Sequence, residues 1–396
     1  MGSLRALKFA TYLPEFGWMP VLVAPRDGLE EDPSLCGTEL AAYRTGEFRR
    51  RRLGRRVLRA ATDASVVATS SQALGRIRDV VRRWLYCPDG QIGWYPFAIA
   101  AGRRAIREGA FDAIFSSSFP ITAHLVARQL HRETGIPWVA EFRDLWTDWG
   151  TGGPRRQRFN ESMERAIVAE ATEVVTVSPT YGEVLRSRGA RRVSIVTNGF
   201  DPGDLPEAKI QEGTSAAYVG TYYPEYQDLA TAFRALGSLA RSGRVLGLRV
   251  KLVGNVPEGL EEMLVGNSVI ECERTGSVPH KDALRFICEA NVLLLSGPIS
   301  AERDALCGHI PGKTFEYLGS GRPILLVGDP KSDVGELLQP LPSVRIVTPG
   351  DVEGAEVAFL SLLQGDDRRN STQLERFTSR FLAGRLAETL DHTCKA

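Results

Sequence analysis

Short apolar runs alternate with helical patterns along most of this chain, and that alternation restricts its fold more than any other feature. In the N-terminal half the runs cover residues 20–24, 111–116, 138–142, 174–178 and 193–197. Helical patterns of roughly 10 to 20 residues separate most of them. Apolar runs of this length, joined by helices, are typical of parallel strands buried on both faces. The sequence therefore predicts an α/β protein.

A second series of such runs follows, and it indicates two doubly wound units in tandem. Its members are residues 216–220, 249–254, 269–272, 291–296, 323–328 and 344–347. The chain has 396 residues, which exceeds the roughly 250 to 300 residues at which a single core stops growing. The turn-rich stretch N-G-F-D-P-G-D-L-P separates the two series. We therefore predict domains at 1–203 and 204–366.

The two ends of the chain add helices without strands. Residues 5–16 predict an amphipathic helix that runs into Gly17, so the chain opens on a crossover helix, and we expect it to begin downstream of a first strand. Residues 367–396 predict a terminal helical segment. This segment either packs back on the N-terminal domain or caps the second domain.

The formal charge of +1 hides a strongly basic stretch. Residues 44–108 contain 15 Arg and no Lys against five acidic residues. A solvated helix face, anionic lipid head groups and nucleic acid are the three interpretations. We favour an anionic membrane surface over nucleic acid as a partner, through Arg49, Arg50, Arg51, Arg52, Arg55, Arg56 and Arg59.

Cysteine spacing and hydropathy restrict the compartment. The six Cys residues contain no pair at the two-residue spacing of zinc or redox sites, so we predict no metal site. No stretch approaches 18 uninterrupted apolar residues, and the N-terminus has no apolar signal core. We predict a cytoplasmic protein, with peripheral association at the inner face of the membrane as the consequence of the basic stretch.

One glycine-bearing loop has the composition of an anion site. No G-x-G-x-x-G follows any predicted strand, and C-G-H-I-P-G-K-T at 307–314 has the wrong spacing for a P-loop, which argues against a dehydrogenase and an NTPase. The loop does lead into a helix, whose N-terminus and Lys313 suit an anion. Glu316, one turn later, is placed to accept hydrogen bonds from two hydroxyls, as of a ribose. The alternative is a turn at Pro311 and Gly312 followed by surface charges.

A second candidate site follows the strand at 138–142. Residues 141–149 emerge at the carboxyl end of the predicted sheet, where open α/β folds bind ligands. Charge and aromatic rings are mixed there, which suits a sugar ring; the residues are Glu141, Arg143, Asp144, Trp146, Asp148 and Trp149. The alternative is a turn with an Arg143–Asp144 salt bridge. His124 lies in a helical pattern without metal-ligand partners, and His280 predicts the start of a helix.

Taken in order, several strings resemble the GT-B glycosyltransferases, specifically the retaining family 4. In the C-terminal half they are V-S-I-V-T-N-G-F-D, A-Y-V-G, K-L-V-G, G-S-V-P-H and P-G-K-T-F-E-Y-L-G-S-G-R-P-I-L. In the N-terminal half they are R-A-L-K-F-A-T-Y-L-P-E-F-G-W-M-P, Pro88-Asp89 with Trp94, and W-V-A-E-F-R-D-L-W. The resemblance implies two Rossmann-like doubly wound domains that face each other across a cleft.

The resemblance also implies a function and a set of site residues. A sugar would pass from a nucleoside diphosphate (NDP) sugar to a lipid-linked glycan, a polysaccharide or a small-molecule glycoside, with retained configuration and no cofactor. Many family members carry a Glu where this chain has Gly308, and they carry Arg and Lys where this chain has residues 221–229. The implied donor-binding residues are Gly220, Thr221, Val278, Pro279, Pro311, Gly312, Lys313 and Glu316. The candidate catalytic residues are Arg143, Asp144 and Lys313, and the candidate acceptor-binding residues are Glu141, Trp146 and Asp148.

Two other functions are compatible with the same strings. A GT-B protein that lacks those charges is able to serve as a non-catalytic partner or scaffold. An NDP-sugar epimerase of the same fold is the third possibility.

Overall fold

The computed structural model shows a chain of two compact units. The first comprises Met1–Thr176, Gly182–Ile195 and Ala383–Ala396, and the second comprises Val177–Tyr181 and Val196–Leu382. The structure describes residues 2–26, 40–48, 87–148, 153–207, 210, 212–264, 270–299, 305–365 and 371–395. The arginine-rich residues from Arg49 to Arg59 lie outside this set, as does Trp149, so the membrane contact stays a prediction.

All eleven strands predicted from the apolar runs are present, and a twelfth adds to them. The strands are β1 Leu22–Pro25, β2 Ala42–Thr45, β3 Ile114–Ser118, β4 Trp138–Phe142, β5 Glu173–Thr176, β6 Val193–Ile195, β7 Ser215–Val219, β8 Arg249–Val253, β9 Glu271–Gly276, β10 Val292–Ser296, β11 Ile324–Val327 and β12 Val344–Val347. The unpredicted strand is β2. Its four residues include no run of apolar side chains, so the pattern carried no signal for it.

Helices connect most of these strands. They are α1 Gly2–Tyr12, α2 Tyr95–Glu108, α3 Thr122–Thr134, α4 Pro154–Glu170, α5 Pro179–Ser187, α6 Ala230–Arg241, α7 His280–Glu289, α8 Lys313–Ser320, α9 Asp333–Leu338, α10 Val352–Gln364, α11 Ser371–Leu374 and α12 Ser379–Cys394. The predicted N-terminal helix is confirmed as α1 with a short 3-10 turn after it, which ends at Gly17 with φ of 85°. Among the described residues, no helix is long and apolar enough to span a membrane.

The first unit contains a four-stranded parallel sheet and a separate parallel pair. The sheet has the order β3-β4-β5-β6, so each new strand joins on the same side. The pair is β1 with β2. All five residues of β4 are buried, as expected for a strand covered on both faces.

The second unit contains one six-stranded parallel sheet whose order is β12-β11-β10-β7-β8-β9. From β7 the chain moves outward to β8 and β9, then returns to the other side of β7 with β10. The strand order therefore reverses between β7 and β10. In open α/β sheets this switch point leaves a crevice at the carboxyl ends of the strands, and ligands bind there.

Helices cover both faces of this second sheet. Because side chains alternate along a strand, β10 sends Val292 and Leu294 into a core with Phe233 and Phe359. Its other residues, Leu293 and Leu295, pack in a second core with Phe315 and Tyr317 of α8. Burial of α8 fixes the helix, and with it the residues at its N-terminus.

Candidate functional site

A buried lysine lies at the switch point of the second sheet. Lys313 begins α8, only 7% of it is exposed, and its Nζ lies 3.6 Å from the ring centroid of Tyr218 at the end of β7. The same Nζ donates a hydrogen bond to the carbonyl oxygen of Thr221, at 3.3 Å. In the part of the chain that the structure describes, no carboxylate lies within ion-pair distance of it. The positive charge is held by a ring face and a backbone dipole.

Gly220 makes room for this lysine. A Cβ at residue 220 would lie 3.2 Å from Lys313 Nζ, and the backbone has φ of 126°, which side chains rarely adopt. Gly220 N–H also donates to the carbonyl of Val253 in β8, at 2.8 Å. The loop after β7 is therefore held against both β8 and the lysine. The structure brings together Gly220, Thr221 and Lys313; that they hold an anion between them stays a prediction.

Burial has a direct effect on the lysine. Loss of hydration lowers the pKa of Lys313 well below its usual value, and the nearby Glu316 opposes this shift. An anion bound beside Nζ would favour the charged form and offset the cost of burial. The N-terminus of α8, after Pro311 and Gly312, adds the positive end of the helix dipole at the same point.

Glu316, one turn into α8, is paired with a histidine that the sequence analysis did not connect to it. His280 Nε2 and Glu316 Oε1 are 2.7 Å apart, and the Glu316 side chain is 17% exposed. The hydrogen bond to Glu316 raises the pKa of His280, while partial burial opposes this. His280 starts α7 directly after Val278 and Pro279, as predicted. Its side chain therefore links the predicted base-binding backbone to the predicted ribose-binding carboxylate.

Gly308, where many family members carry a Glu, has no space for a side chain. A Cβ there would lie 2.5 Å from Cδ1 of Tyr181, whose side chain is almost completely buried. The segment that holds Tyr181 is fixed by Thr180, whose backbone N–H and hydroxyl donate to the two carboxylate oxygens of Asp333. The aromatic ring of Tyr181 thus takes the volume that a side chain at 308 would need.

In the first unit the carboxyl end of β4 and the segment after it carry the predicted acceptor-binding residues and two of the predicted catalytic residues, and two of them bond to the end of β3. Glu141 is fully buried; its Oε1 accepts from Arg5 Nε at 2.8 Å and its Oε2 accepts from Ser117 Oγ at 2.5 Å. Arg143 Nε donates to the carbonyl of Ser118 at 2.5 Å, and its Nη2 donates to that of Phe119 at 3.1 Å. Burial lowers the pKa of Arg143. Asp144 follows it, half-buried.

Trp146 and Asp148 are joined by two residues that the sequence analysis missed. Arg188 donates from Nη2 to Asp148 Oδ2 at 2.6 Å and from Nη1 to Glu164 Oε2 at 2.7 Å. Glu164 also accepts from the backbone N–H of Trp146 and from the hydroxyl of Thr147. Burial raises the pKa of Glu164. No local pattern in the sequence indicated these contacts, because Glu164 lies within the helix α4 and Arg188 directly after the helix α5, positions where exposed polar residues are common.

His124 is a packing residue of the first unit, on α3 as predicted. Its Nδ1 lies 2.8 Å from Ser116 Oγ, and its ring stacks near that of Phe142, with centroids 4.5 Å apart. Burial, with a contribution from Arg143, lowers the pKa of His124 to about 3. Within the described ranges no group of three or more His, Cys, Asp or Glu is placed to hold a metal ion.

Comparison with solved structures defines the class of this fold. Sucrose-phosphate synthase from Thermosynechococcus elongatus matches 99% of this chain and 90% of its own, at 13% identity and a TM-score of 0.54. Anabaena Alr3699/HepE, solved in complex with UDP, matches 94% of this chain and all of its own, at 14% identity and a TM-score of 0.57. Trehalose 6-phosphate synthase from Burkholderia multivorans matches 76% of this chain and 75% of its own, at 11% identity and a TM-score of 0.51. The fold is GT-B, with two Rossmann-like domains.

The family follows from the N-terminal half. Residues 3–199 match the sequence profile of the glycosyl transferase 4-like domain. No curated protein sequence matches the chain significantly. The chain is a glycosyltransferase of the family 4-like type.

Proposed function

We propose that this glycosyltransferase takes its sugar from an NDP-sugar held by the second unit. The observation that carries the proposal is the buried Lys313 at the switch point, whose Nζ contacts the ring face of Tyr218 and the carbonyl oxygen of Thr221. A diphosphate is the anion that this arrangement suits, because the glycine loop at 220 and the N-terminus of α8 offer backbone dipoles around the same charge. The UDP in the Anabaena HepE structure is a ligand of this chemistry.

The nucleoside half of the donor is assigned to Glu316 and to the turn before α7. The Glu316 carboxylate would accept hydrogen bonds from two ribose hydroxyls, and Val278 and Pro279 would meet the base through their backbone. His280 holds one carboxylate oxygen of Glu316. This contact orients the carboxylate before the donor arrives, which lowers the entropy lost on binding.

The chemical step proposed is transfer with retained configuration and without a cofactor. The bond between the anomeric carbon and the diphosphate oxygen breaks, the acceptor oxygen bonds to that carbon from the same face, and the acceptor proton passes to the departing diphosphate. Negative charge grows on the leaving group as the bond breaks. The Lys313 ammonium and the backbone N–H groups of Thr221 and Gly312 would stabilise that charge. Gly220 contributes the space beside Lys313, since its own N–H is bonded to Val253.

The acceptor is assigned to the first unit, through Glu141, Trp146 and Asp148, with Arg143 and Asp144 as catalytic candidates. A lipid-linked glycan, a polysaccharide or a small-molecule glycoside is the proposed acceptor class. The support is the position of these residues at and after the carboxyl end of β4, the edge where α/β sheets bind ligands. The bonds from Arg5 and Ser117 fix the carboxylate of Glu141 at this edge, and each of its oxygens keeps a lone pair for an acceptor hydroxyl.

The test is donor binding and turnover with a panel of UDP-, GDP- and ADP-sugars. We expect one donor to be hydrolysed slowly or transferred. Glu316→Ala should weaken binding of that donor about 10- to 100-fold, since each hydrogen bond to a charged group contributes about 1.5–3 kcal/mol. Glu336→Ala, which removes a carboxylate from α9, is the matched control. A protein that binds no nucleotide of the panel contradicts the proposal, and so does an epimerised sugar as the product.

A further inference from the structure

Two tyrosine rings are stacked on the loop after β7, beside the switch point. Tyr223 and Tyr226 have ring centroids 5.3 Å apart and planes only 15° from parallel. Tyr223 is 45% exposed. Tyr226 also meets the ring of His309 edge-on, at 6.1 Å. A large aromatic face that stays open to solvent on a loop of the site is a surface that a ligand can cover.

The loop that carries these rings, residues 221–227, is fixed by hydrogen bonds. Gln227 is buried, and its Oε1 accepts from the backbone N–H of Tyr223 at 3.1 Å while its own N–H donates to the carbonyl of Tyr223 at 3.0 Å. The carbonyl of Tyr226 accepts from the N–H of Ile299, in the segment after β10, at 3.1 Å. The loop that carries the two rings is therefore bonded both within itself and to the segment after β10, which fixes the positions of the rings.

Three contacts follow one another along residues 309–316. His309 meets Tyr226, Lys313 meets Tyr218 and Thr221, and Glu316 meets His280. The order along the chain is aromatic group, cation, carboxylate. An NDP-sugar has the matching order of sugar, diphosphate and ribose. The Tyr223 and Tyr226 rings lie at the end of this series where the sugar remains to be held.

We infer that Tyr223, backed by Tyr226, binds the sugar ring of the donor; this inference rests on the proposed function. A pyranose has an axial C–H face that carries partial positive charge, and the face of a tyrosine ring is negative, so the two attract when stacked. The donor class is therefore a neutral hexose or an N-acylated amino sugar rather than an acidic sugar, because Glu225 is exposed on this loop and residues 221–229 include no Lys or Arg. In this chain the ring face of Tyr223 would hold the donor sugar, in place of the Glu that many family members carry where this chain has Gly308.

The experiment compares an NDP-sugar with its own NDP on the full chain. UDP-glucose is paired with UDP, GDP-mannose with GDP and ADP-glucose with ADP. The dissociation constants are measured by calorimetry for wild type, Tyr223→Ala and Tyr223→Phe. We expect Tyr223→Ala to weaken NDP-sugar binding about 10-fold and NDP binding less than about 2-fold. Tyr223→Phe keeps the ring and should stay within about 3-fold of wild type for both.

Phe381→Ala is the matched control, since Phe381 has an exposed aromatic ring of similar extent elsewhere on the second unit. It should leave both constants unchanged. Equal weakening of NDP and NDP-sugar by Tyr223→Ala overturns the inference, and so does no weakening of either. A wild-type protein that binds none of UDP, GDP and ADP is a different result, because it removes the proposed function together with the inference.

Discussion

The two sheets of this glycosyltransferase carry charge at their carboxyl ends in different ways. In the first unit, two buried carboxylates are matched by arginines: Glu141 with Arg5, and Glu164 with Arg188, which also pairs with the exposed Asp148. In the second unit Lys313 lies against a tyrosine ring and a carbonyl. Breaking a matched buried pair is costly, and such a pair gains little from a ligand. A buried lysine that has no carboxylate at ion-pair distance among the described residues gains most from a bound anion. We infer from this difference that the ion pairs of the first unit stabilise the fold, whereas Lys313 serves to bind a substrate.

The largest expected effect is on the stability of the first unit. Glu141→Ala removes a buried carboxylate that pairs with Arg5, and the free energy of unfolding should fall by about 3–5 kcal/mol. Denaturant titration measures it. Glu133→Ala breaks the exposed pair with Arg103 and should cost no more than about 1 kcal/mol. If the two variants are equally stable, the buried pair is not what holds this edge.

The next effect is on catalysis in the second unit. Lys313→Met removes the buried charge and keeps the apolar stem, so kcat/KM for the donor should fall about 10²- to 10³-fold. Its melting temperature should equal or exceed that of wild type, since the substitution removes a buried amine that no described carboxylate neutralises. Lys251→Met is the control, because Lys251 also lies over a ring, that of Phe286, but is paired with Glu273. Lower stability for Lys313→Met would place this lysine among the residues that hold the fold.

A smaller effect concerns the space that Tyr181 takes at residue 308. Gly308→Ala should destabilise the protein by about 1–3 kcal/mol, because its Cβ would overlap a buried ring. The double variant with Tyr181→Leu should lose less than the sum of the two single variants. Gly90→Ala, at a glycine with open space around it, should change stability by less than about 0.5 kcal/mol. Additive losses would show that the ring and the glycine do not compete for volume.

The smallest effect is the pH dependence that His280 confers. Its pKa is raised in the folded protein, so the pair with Glu316 stabilises fully below the ordinary His pKa of 6.5, and this contribution is lost as pH rises through the folded value. His280 is partly exposed, so the contribution is about 0.5 kcal/mol. The melting temperature of His280→Gln should therefore fall below that of wild type by about 1–2 °C at pH 6 and by less at pH 9. His392→Gln, on α12, should show no such difference. A gap that widens with pH would contradict the pairing.

The sequence predicted the strands well because a buried parallel strand leaves an apolar run that is local. The residues at 138–142 and 344–347 match β4 and β12 at both ends. The polar strand β2 leaves no such run, and only its pairing with β1 makes it a strand. Strand order could not be predicted either, because the neighbours of β10 in the sheet are set by contacts between residues far apart in the chain.

The candidate site was predicted where a motif lies within one loop and missed where it joins distant loops. Lys313 and Glu316 are three residues apart and share a helix start, so spacing was enough to select them. His280 lies 36 residues from Glu316, and Arg188 lies 40 from Asp148. No local pattern links such pairs. The sequence shows tyrosines at 223 and 226, but it does not show that their rings stack, because the stacking depends on the turn that Gln227 fixes.

The return of the last helix to the first unit has a consequence for synthesis. Residues 383–396 belong to that unit, where Asp391 accepts from Trp18 Nε1 at 3.0 Å and Thr393 donates to Glu173 at 3.1 Å. A ribosome adds about 5–20 residues per second, so about 10–40 s pass between residue 195 and the end of the chain. The second unit emerges whole in that interval. The unit made first is therefore the last to be completed, and until then it keeps the apolar surface for α12 open to chaperones.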